Sequence, residues 1–517
     1  MATETRLILL FSIAAGVAIV VRQRRLPYTV ALVLAGLGLG ILHLFAPPPL
    51  TKRLVFSLFL PGLLFEAAFH IDARELWRNR YAIASLAVPG VAAAVVLTTI
   101  VLTRVVDTFD LATAFDWRHA LVFGALIAAT DPIAVVAVVR RLGAPRRLAV
   151  LLDGESLLND GTAIVLFTLS LSLAAGAAAP AGALGLEFLT IVGFGGLIGL
   201  VVGWGISQVI RQIDDPMIEI TLTTIAAYGA FAAAEHFHYS GVIAVVVAGV
   251  VCGSYGARTG MSPSTRIAVH SFWEYVTFAL NSIVFLLIGF ELEIDLLLRS
   301  WQAILAAYLI VTVARALVIG LVTALLRGTR ERIPWPWSAA LVWGGLRGAL
   351  PMVLVLSLPA DFAHRRLLVA MTFGVVLMSL VVNGTTVPAV MRRLGIAAGR
   401  RDADYDLARG RLEAATAALE ALDRLATAHF ADEAVCRQLQ AGYERRIAEE
   451  RERIRELDRD RGGVIEGERR WARRHLLLAE KNRVIDAYRE GVVSQATYEQ
   501  LLRDVDARLL DAESAAG

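Results

Sequence analysis

Two residue types common in a protein of this size are almost missing: lysine occurs only as Lys52 and Lys481, and cysteine only as Cys252 and Cys436. Two cysteines so far apart make neither a disulfide framework nor a cysteine zinc site. Neither lysine follows a glycine-rich loop in the GxxxxGK[ST] spacing, so a backbone cradle for ATP phosphates, and with it primary pumping by a P-loop ATPase, is not encoded. No HExxH helix is present and no Ser–His pairing stands out, which argues against a hydrolytic or proteolytic enzyme. Long polar stretches are lacking too, up to about Arg400. With 57% hydrophobic residues and a mean hydropathy of +0.62 over 517 residues, the chain is too apolar for a soluble enzyme and reads as a multi-span membrane protein. The net charge of +3 says little about partners, because charge is concentrated at the C-terminal end.

What is present is a series of apolar runs long enough to cross a bilayer. They lie near 5–22, 27–45, 54–71, 81–103, 118–139, 148–175, 183–210, 217–234, 239–254, 272–291, 301–326, 336–358 and 366–391, about thirteen spans. The first run, Leu7 to Val21, is followed rather than preceded by its basic cluster Arg22, Arg24 and Arg25, so it reads as a transmembrane helix and not as a signal peptide. Loops after the odd-numbered spans hold roughly twenty Arg, against about eight Arg and Lys in the others, an asymmetry that puts the N-terminus outside and the C-terminus in the cytoplasm. The expected location is the cell (inner) membrane, with the lipid bilayer as surroundings and no nucleic-acid partner. We divide the chain into a transmembrane domain, 1–398, and a helical cytoplasmic domain, 399–517. In the latter Leu407 to Leu425 and Glu444 to Leu457 are amphipathic and Gly462-Gly463 is a turn signal. That domain reads either as a solvated tail or, as we take it, as a regulatory or dimer-contacting module.

A weak internal repeat runs through the spans. Span 6 carries Asn159-Asp160-Gly161-Thr162 and span 13 carries Asn383-Gly384-Thr385-Thr386, and spans 5 and 12 both contain a proline, Pro132 and Pro351. Span 3 ends FEAAFHID and span 10 ends IGFELEID. Each pair lies seven spans apart, so an odd seventh span would leave two six-span halves in opposite orientation, the inverted repeat of secondary transporters.

Ionisable groups inside a bilayer cost about 2.5–3.5 kcal/mol each on insertion scales, so each needs a partner or a task. They gather on span 5 (Thr130-Asp131-Pro132), span 6 (Asp153, Glu155, Ser156, Asn159, Asp160), span 3 (Glu66) and span 12 (Arg347), and the remaining spans read as nearly free of central charge. On span 6, Asp153, Ser156 and Asp160 fall within a stripe roughly 60° wide, with Asn159 and Glu155 alongside. Hard cations such as Na⁺ shed water only for several oxygen ligands, which such a stripe supplies. Pro132 lacks an N–H, so the Ala128 carbonyl loses its helical partner, and Pro351 does the same to the Arg347 carbonyl amid Gly344, Gly345 and Gly348. Broken helices of this kind survive in a membrane only inside protein or beside a water-filled cavity. Either proline could instead be a packing kink, Glu66 an interfacial residue, and Arg347 a mere counter-ion for Glu155. His70, His236 and His238 read as interface or loop residues and not as metal ligands.

The segment ATDPIAVVAVVRRLGAPRRLAVLLDGESLLNDGTAIVLF, Ala129 to Phe167, with the later WGGLRGALPM and VNGTT, resembles the core of the NhaP/NHE branch of monovalent cation:proton antiporters. The order and spacing of these motifs cover about 390 residues, whereas the tail matches no module we can name. The resemblance implies an all-α polytopic homodimer of about thirteen helices, with two inverted six-helix repeats and broken helices, spans 5 and 12, that cross at the ion site. It implies that Asp160 binds cation and proton in turn, that Ser156, Thr130 and Glu66 help to coordinate Na⁺, and that Asp131 contacts the ion directly or through water. Asn159 would hold the site together, and Glu155 would pair with Arg347. In this family an Asn before the essential Asp goes with electroneutral exchange, so the expectation is one Na⁺ (or Li⁺) for one H⁺, with no cofactor and no enzymatic activity. Two rivals remain at this point. K⁺ uses the same ligand types as Na⁺, and a membrane sensor or channel would gate through the same residues, although the polar groups cluster at one depth instead of forming the continuous stripe a channel needs.

Overall fold

The computed structural model describes residues 3–22, 28–42, 54–176, 181–257, 260–396, 400–427 and 433–458, with scattered positions between 476 and 508. Lys52, Arg24, Arg25 and the Gly462-Gly463 turn lie outside the described residues. Two compact units result, Met1–Ala397 and Ala398–Gly517. Every regular element among the described residues is helical. In chain order the main helices are α1 (Thr3–Arg22), α2 (Tyr28–Ile41), α3 (Leu60–His70), α4 (Val91–Thr108), α5 (Trp117–Ala128), α6 (Ile133–Arg141), α7 (Arg146–Ala174), α8 (Ala181–Ile210), α9 (Pro216–His236), α10 (Gly241–Val251), α11 (Pro263–Phe290), α12 (Trp301–Leu325), α13 (Trp335–Gly344), α14 (Ala349–Leu356), α15 (Arg365–Met378) and α16 (Gly384–Arg393). The second unit adds α17 (Arg400–Thr427) and α18 (Glu433–Asp458). Among the described residues eight helices are long and apolar enough to cross a membrane, or nine when α13 and α14 are taken as one span bent by 44°. Four shorter apolar helices, Ile8–Val21, Tyr28–Ile41, Ser57–His70 and Gly241–Gly256, accompany them.

Local chemistry sets the ends of these helices. The Asp116 side chain accepts from the N–H groups of Arg118 and His119 to start α5, and Asp215 and Ser262 cap α9 and α11, each with proline in the first helical position where its missing N–H costs nothing. α5 and α6 are one apolar run interrupted at 129–132, since Pro132 withholds the N–H that the fourth residue back requires. The second interruption lies where the sequence expectation put it but has a different cause. Pro351 stands in the first turn of α14, where proline is tolerated, and the chain leaves the helix at Gly345, with Gly348 in an extended conformation.

α7 lies at the centre of the first unit, touching α3, α4, α5, α6, α8, α10, α13 and α14. The surrounding helices pack in two groups: α4 with α5 and α12, which carries α15, and α3 with α10 and α11, which carries α2. A continuous apolar core joins both groups, and a second cluster, including Val135, Val139, Leu148, Leu151, Leu341 and Met391, takes in α6 and α13, one half of each interrupted span. In the second unit α17 and α18 pack face to face, burying Tyr405, Ala408, Ala415 and Leu422 against Cys436 and Ile447, with Arg411 3.6 Å from Glu450. Burial at a helical repeat on both partners is the pattern of a helical hairpin.

Candidate functional site

The two interruptions meet. The Asp131 N–H donates to the Leu346 carbonyl at 2.8 Å, so the backbone of one break is hydrogen-bonded to the backbone of the other. Gly348 lies against Asp131: a methyl group there would stand 2.7 Å from Asp131 Cβ and 2.9 Å from Oδ2, so no larger residue fits without separating the chains.

The freed carbonyls are satisfied by side chains, as buried backbone groups must be. The Ala128 carbonyl, whose helical donor Pro132 removes, accepts from Asn159 Nδ2 at 3.0 Å and from Arg347 Nη1 at 2.9 Å. Arg347 Nη1 also reaches the Ala129 carbonyl at 3.1 Å. At the second break Asn383 Nδ2 donates to the Trp343 carbonyl at 3.3 Å, and the Arg347 N–H donates to Ser379 Oγ at 3.1 Å. Ser379 and Asn383 bracket a π-helical turn, Ser379–Asn383, that joins α15 to α16, and the Tyr308 hydroxyl, donating to Asn383 Oδ1 at 2.6 Å, fixes the amide. Such turns shift the register of side chains and often mark functional sites. An Asn from the following span thus serves each break, Asn159 at the first and Asn383 at the second.

The expected Glu155–Arg347 pair is not the one formed. Glu155, 4% exposed, takes a two-pronged bond from Arg315, with Nη1 and Nη2 each 3.0 Å from a carboxylate oxygen. Arg315 Nε and Nη2 also donate to the Leu341 carbonyl, at 3.3 and 3.1 Å. The reason is geometric. Gly345 lets the guanidinium lie flat against the break, since a Cβ there would come within 2.3 Å of Arg315 Nε, while Arg347 is already committed to the carbonyls of α5. Fork-to-fork geometry explains why arginine serves here. Arg315 is a central charge that the sequence reading overlooked.

Asp160, Thr130, Asp131, Ser156 and Glu66 all line one cavity of about 320 Å³. Its walls come from α3, the 129–132 break, α6, α7, α11 and the start of α14, and Glu274 and Asn281 of α11 add polar groups that the sequence did not single out. About two helical turns before Asp160 on α7, Asp153 Oδ2 is bound by Arg140 Nη2 at 3.1 Å, so Asp153 belongs to the cavity wall near α6's end and not to the cluster around Asp160. Ser156 Oγ donates to the Thr130 carbonyl, and Thr130 Oγ1 donates to Ser156 Oγ at 3.5 Å while accepting from Asn159 Nδ2 at 3.0 Å. With both hydroxyl hydrogens directed to protein, the oxygens keep lone pairs for a cation. Asp131 Oδ1 caps α6 by accepting from the Ile133 N–H at 3.0 Å, which leaves its second oxygen beside Gly348. Among the described residues no group of three His, Cys, Asp or Glu side chains is placed to hold a metal ion. The oxygens here come from hydroxyls, carbonyls and separate carboxylates, a donor set suited to a weakly held hard cation. His70, read from the sequence as an interface residue, lines the same cavity, whereas His236 and His238 are exposed at the end of α9.

Comparison with known proteins agrees with this architecture. The family model described as "Sodium/hydrogen exchanger, transmembrane" matches residues 8–393. The Na(+)/H(+) antiporter ApNhaP of Aphanothece halophytica is 39% identical over 380 residues, 73% of this chain and 71% of that protein. The Na(+)/H(+) antiporter NhaG of Bacillus atrophaeus is 33% identical over 504 residues, 94% of this chain and 93% of its own. The solved structure of the sodium proton antiporter MjNhaP1 from Methanocaldococcus jannaschii shares the fold, with a TM-score of 0.64 at 18% identity, over 76% of this chain and 98% of that one. By the match along its first 390 or so residues and by its likeness to these relatives, the chain belongs to the sodium/hydrogen exchanger family.

Proposed function

We propose that this protein is a secondary antiporter that exchanges Na⁺ (or Li⁺) for H⁺ across the membrane, one for one, with cation and proton competing for Asp160. The observation that carries this reading is the cavity that ends among Asp160, Thr130, Ser156 and Asp131, where the two interrupted helices touch. Low-dielectric surroundings disfavour a bare negative charge, so the carboxylate holds either a proton or a cation. A domain that crosses the bilayer barrier only when Asp160 is neutralised by one of them then couples the two fluxes without further machinery. Asn159 binds two groups of the first break and carries no charge, which agrees with a single exchanged charge per cycle. The names of the relatives support Na⁺ as the cation.

In this reading Ser156, Thr130 and Glu66 complete the coordination of the ion and Asp131 meets it directly or through water. The arrangement of the spans follows the same proposal: thirteen crossings, two inverted halves, the N-terminus outside, the C-terminal helices in the cytoplasm with a regulatory role, and a homodimer in the membrane. The parallel tasks of Asn159 and Asn383 at equivalent breaks support the inverted repeat. The test is dissipation of a pH gradient in proteoliposomes, with Na⁺, Li⁺ and K⁺ added separately. Wild-type protein should respond to Na⁺ and Li⁺, and Asp160→Asn should respond to none while keeping its melting temperature. Exchange retained by Asp160→Asn refutes the mechanism, and a response to K⁺ alone refutes the choice of cation.

A further inference from the structure

Glu66 and His70 stand one turn apart at the end of α3, and His70 Nδ1 lies 2.9 Å from the Glu66 carbonyl oxygen and 3.3 Å from its Oε1. Both neighbours only accept, so Nδ1 carries the hydrogen. In the neutral ring Nε2 is then a lone pair. His270 of α11 brings its Nδ1 to 2.8 Å from that Nε2, and it is therefore the His270 Nδ1–H that donates. The Glu66 carbonyl thus dictates the tautomers of two neutral rings on two helices. The rings are held edge to face, 4.5 Å between centroids at 71°, and His270 also packs on Phe69 at 5.2 Å. Glu274, one turn along α11 from His270, lines the same cavity as Glu66 and His70, so this face of α11 forms part of the wall. Across the cavity the facing charges, Arg140 and Asp153, are paired with each other.

We propose that His270, acting through His70, is a positioning residue for Glu66: the chain from α11 to α3 holds the carboxylate turned into the cavity, where it serves as a cation ligand. This rests on the reading of Glu66 as a ligand given above. A glutamate has rotamer freedom that a ligand must give up on binding, and an imidazole Nδ1 held 3.3 Å from its Oε1 removes part of that loss beforehand. The contribution therefore falls on cation affinity and not on the rate of the loaded carrier.

Na⁺-driven proton movement in proteoliposomes, with Na⁺ titrated at fixed pH, separates the two. His270→Phe keeps the ring packing but deletes the donor, and should raise the apparent KM for Na⁺ about three- to ten-fold while kcat changes less than about two-fold. His270→Asn, whose amide reaches the position of Nδ1, should restore most of the affinity. His270→Gln, whose amide reaches the position of Nε2 instead, should behave like His270→Phe and stands in for it if the phenyl ring impairs folding. Glu66→Gln should raise KM at least as far, and His270→Phe should add nothing to it. An unchanged KM in His270→Phe, or equal effects of Phe and Asn, or additivity with Glu66→Gln, overturns the positioning role while leaving Glu66 a ligand. An unchanged KM in Glu66→Gln overturns the ligand reading itself.

Discussion

Arg315→Ala should be among the most damaging single substitutions outside the cavity. It removes two bonds of 3.0 Å to the Glu155 carboxylate and two more to the Leu341 carbonyl, at 3.3 and 3.1 Å. It leaves Glu155, 4% exposed, as a buried charge with its bidentate partner gone. Deleting one member of a buried ion pair costs about 3–5 kcal/mol, because the remaining member cannot be rehydrated. The orphaned Leu341 carbonyl adds about 1–3 kcal/mol where no water reaches it. Replacing both members, as in Glu155→Leu with Arg315→Met, removes the uncompensated charge and should recover most of the first loss. Arg347→Ala should couple weakly to Glu155, since Arg347 spends its Nη1 hydrogens on the Ala128 and Ala129 carbonyls and Asn159 still serves Ala128. The assay is a pair of double-mutant cycles on unfolding in detergent micelles, followed by tryptophan fluorescence. The Glu155–Arg315 coupling should fall at the upper end of the usual range, about 3 kcal/mol, and the Glu155–Arg347 coupling near its lower end, about 0.5 kcal/mol. The reasoning fails if Arg315→Ala loses less than about 1 kcal/mol, or if Arg347 proves the stronger partner.

Gly348→Ala should push the two breaks apart, because its Cβ would stand 2.7 Å from that of Asp131. Overpacking of this kind costs about 1–3 kcal/mol, and vesicle assays should find transport reduced at least as severely as stability. Asn159→Ala leaves Thr130 Oγ1 without its donor and the Ala128 carbonyl with Arg347 only, for a loss of about 1–3 kcal/mol; an unchanged melting curve would mean that Asn159 does not hold the break. Competition for one carboxylate also fixes a sign. Each unit fall in pH through the region where Asp160 is protonated should raise the apparent KM for Na⁺ about ten-fold with the maximal rate unchanged, and a falling maximal rate at constant KM would exclude competition.

How legible the site was in the sequence depended on how local the physics is. A proline deprives a known carbonyl of a known donor, so the interruption at Pro132 and the freed Ala128 carbonyl followed from the order of residues alone. The same rule found the right segment at the second interruption for the wrong reason, because Pro351 occupies a first turn, where the rule does not bite, and the glycines at 345 and 348 do the breaking. Arg315 was visible in principle: it is the single charge in a helix of 25 residues, and the cost of burying it demands a partner. Which of two arginines meets Glu155 is decided by which can lie against Gly345, a close approach between distant segments that no spacing encodes. Asn383 was marked only by its alignment with Asn159 in the repeat, and Ser379 was hidden for another reason, since a π-helical turn rotates it off the face an α-helical wheel assigns. His270 sits four residues from Glu274 on α11, and only the 2.8 Å approach of His70 sets it apart.

The bond from the Asp131 N–H to the Leu346 carbonyl has a mechanical consequence. A hinge needs a joint about which two parts swing independently, and the obvious joints in this molecule, the two unwound stretches, are stitched to each other. In the proposed exchange, cargo seated there travels with its whole panel past α3 and α11, as a lift passes a shaft wall. On that proposal Glu66, fixed to α3, meets the ion at one landing and not at the other.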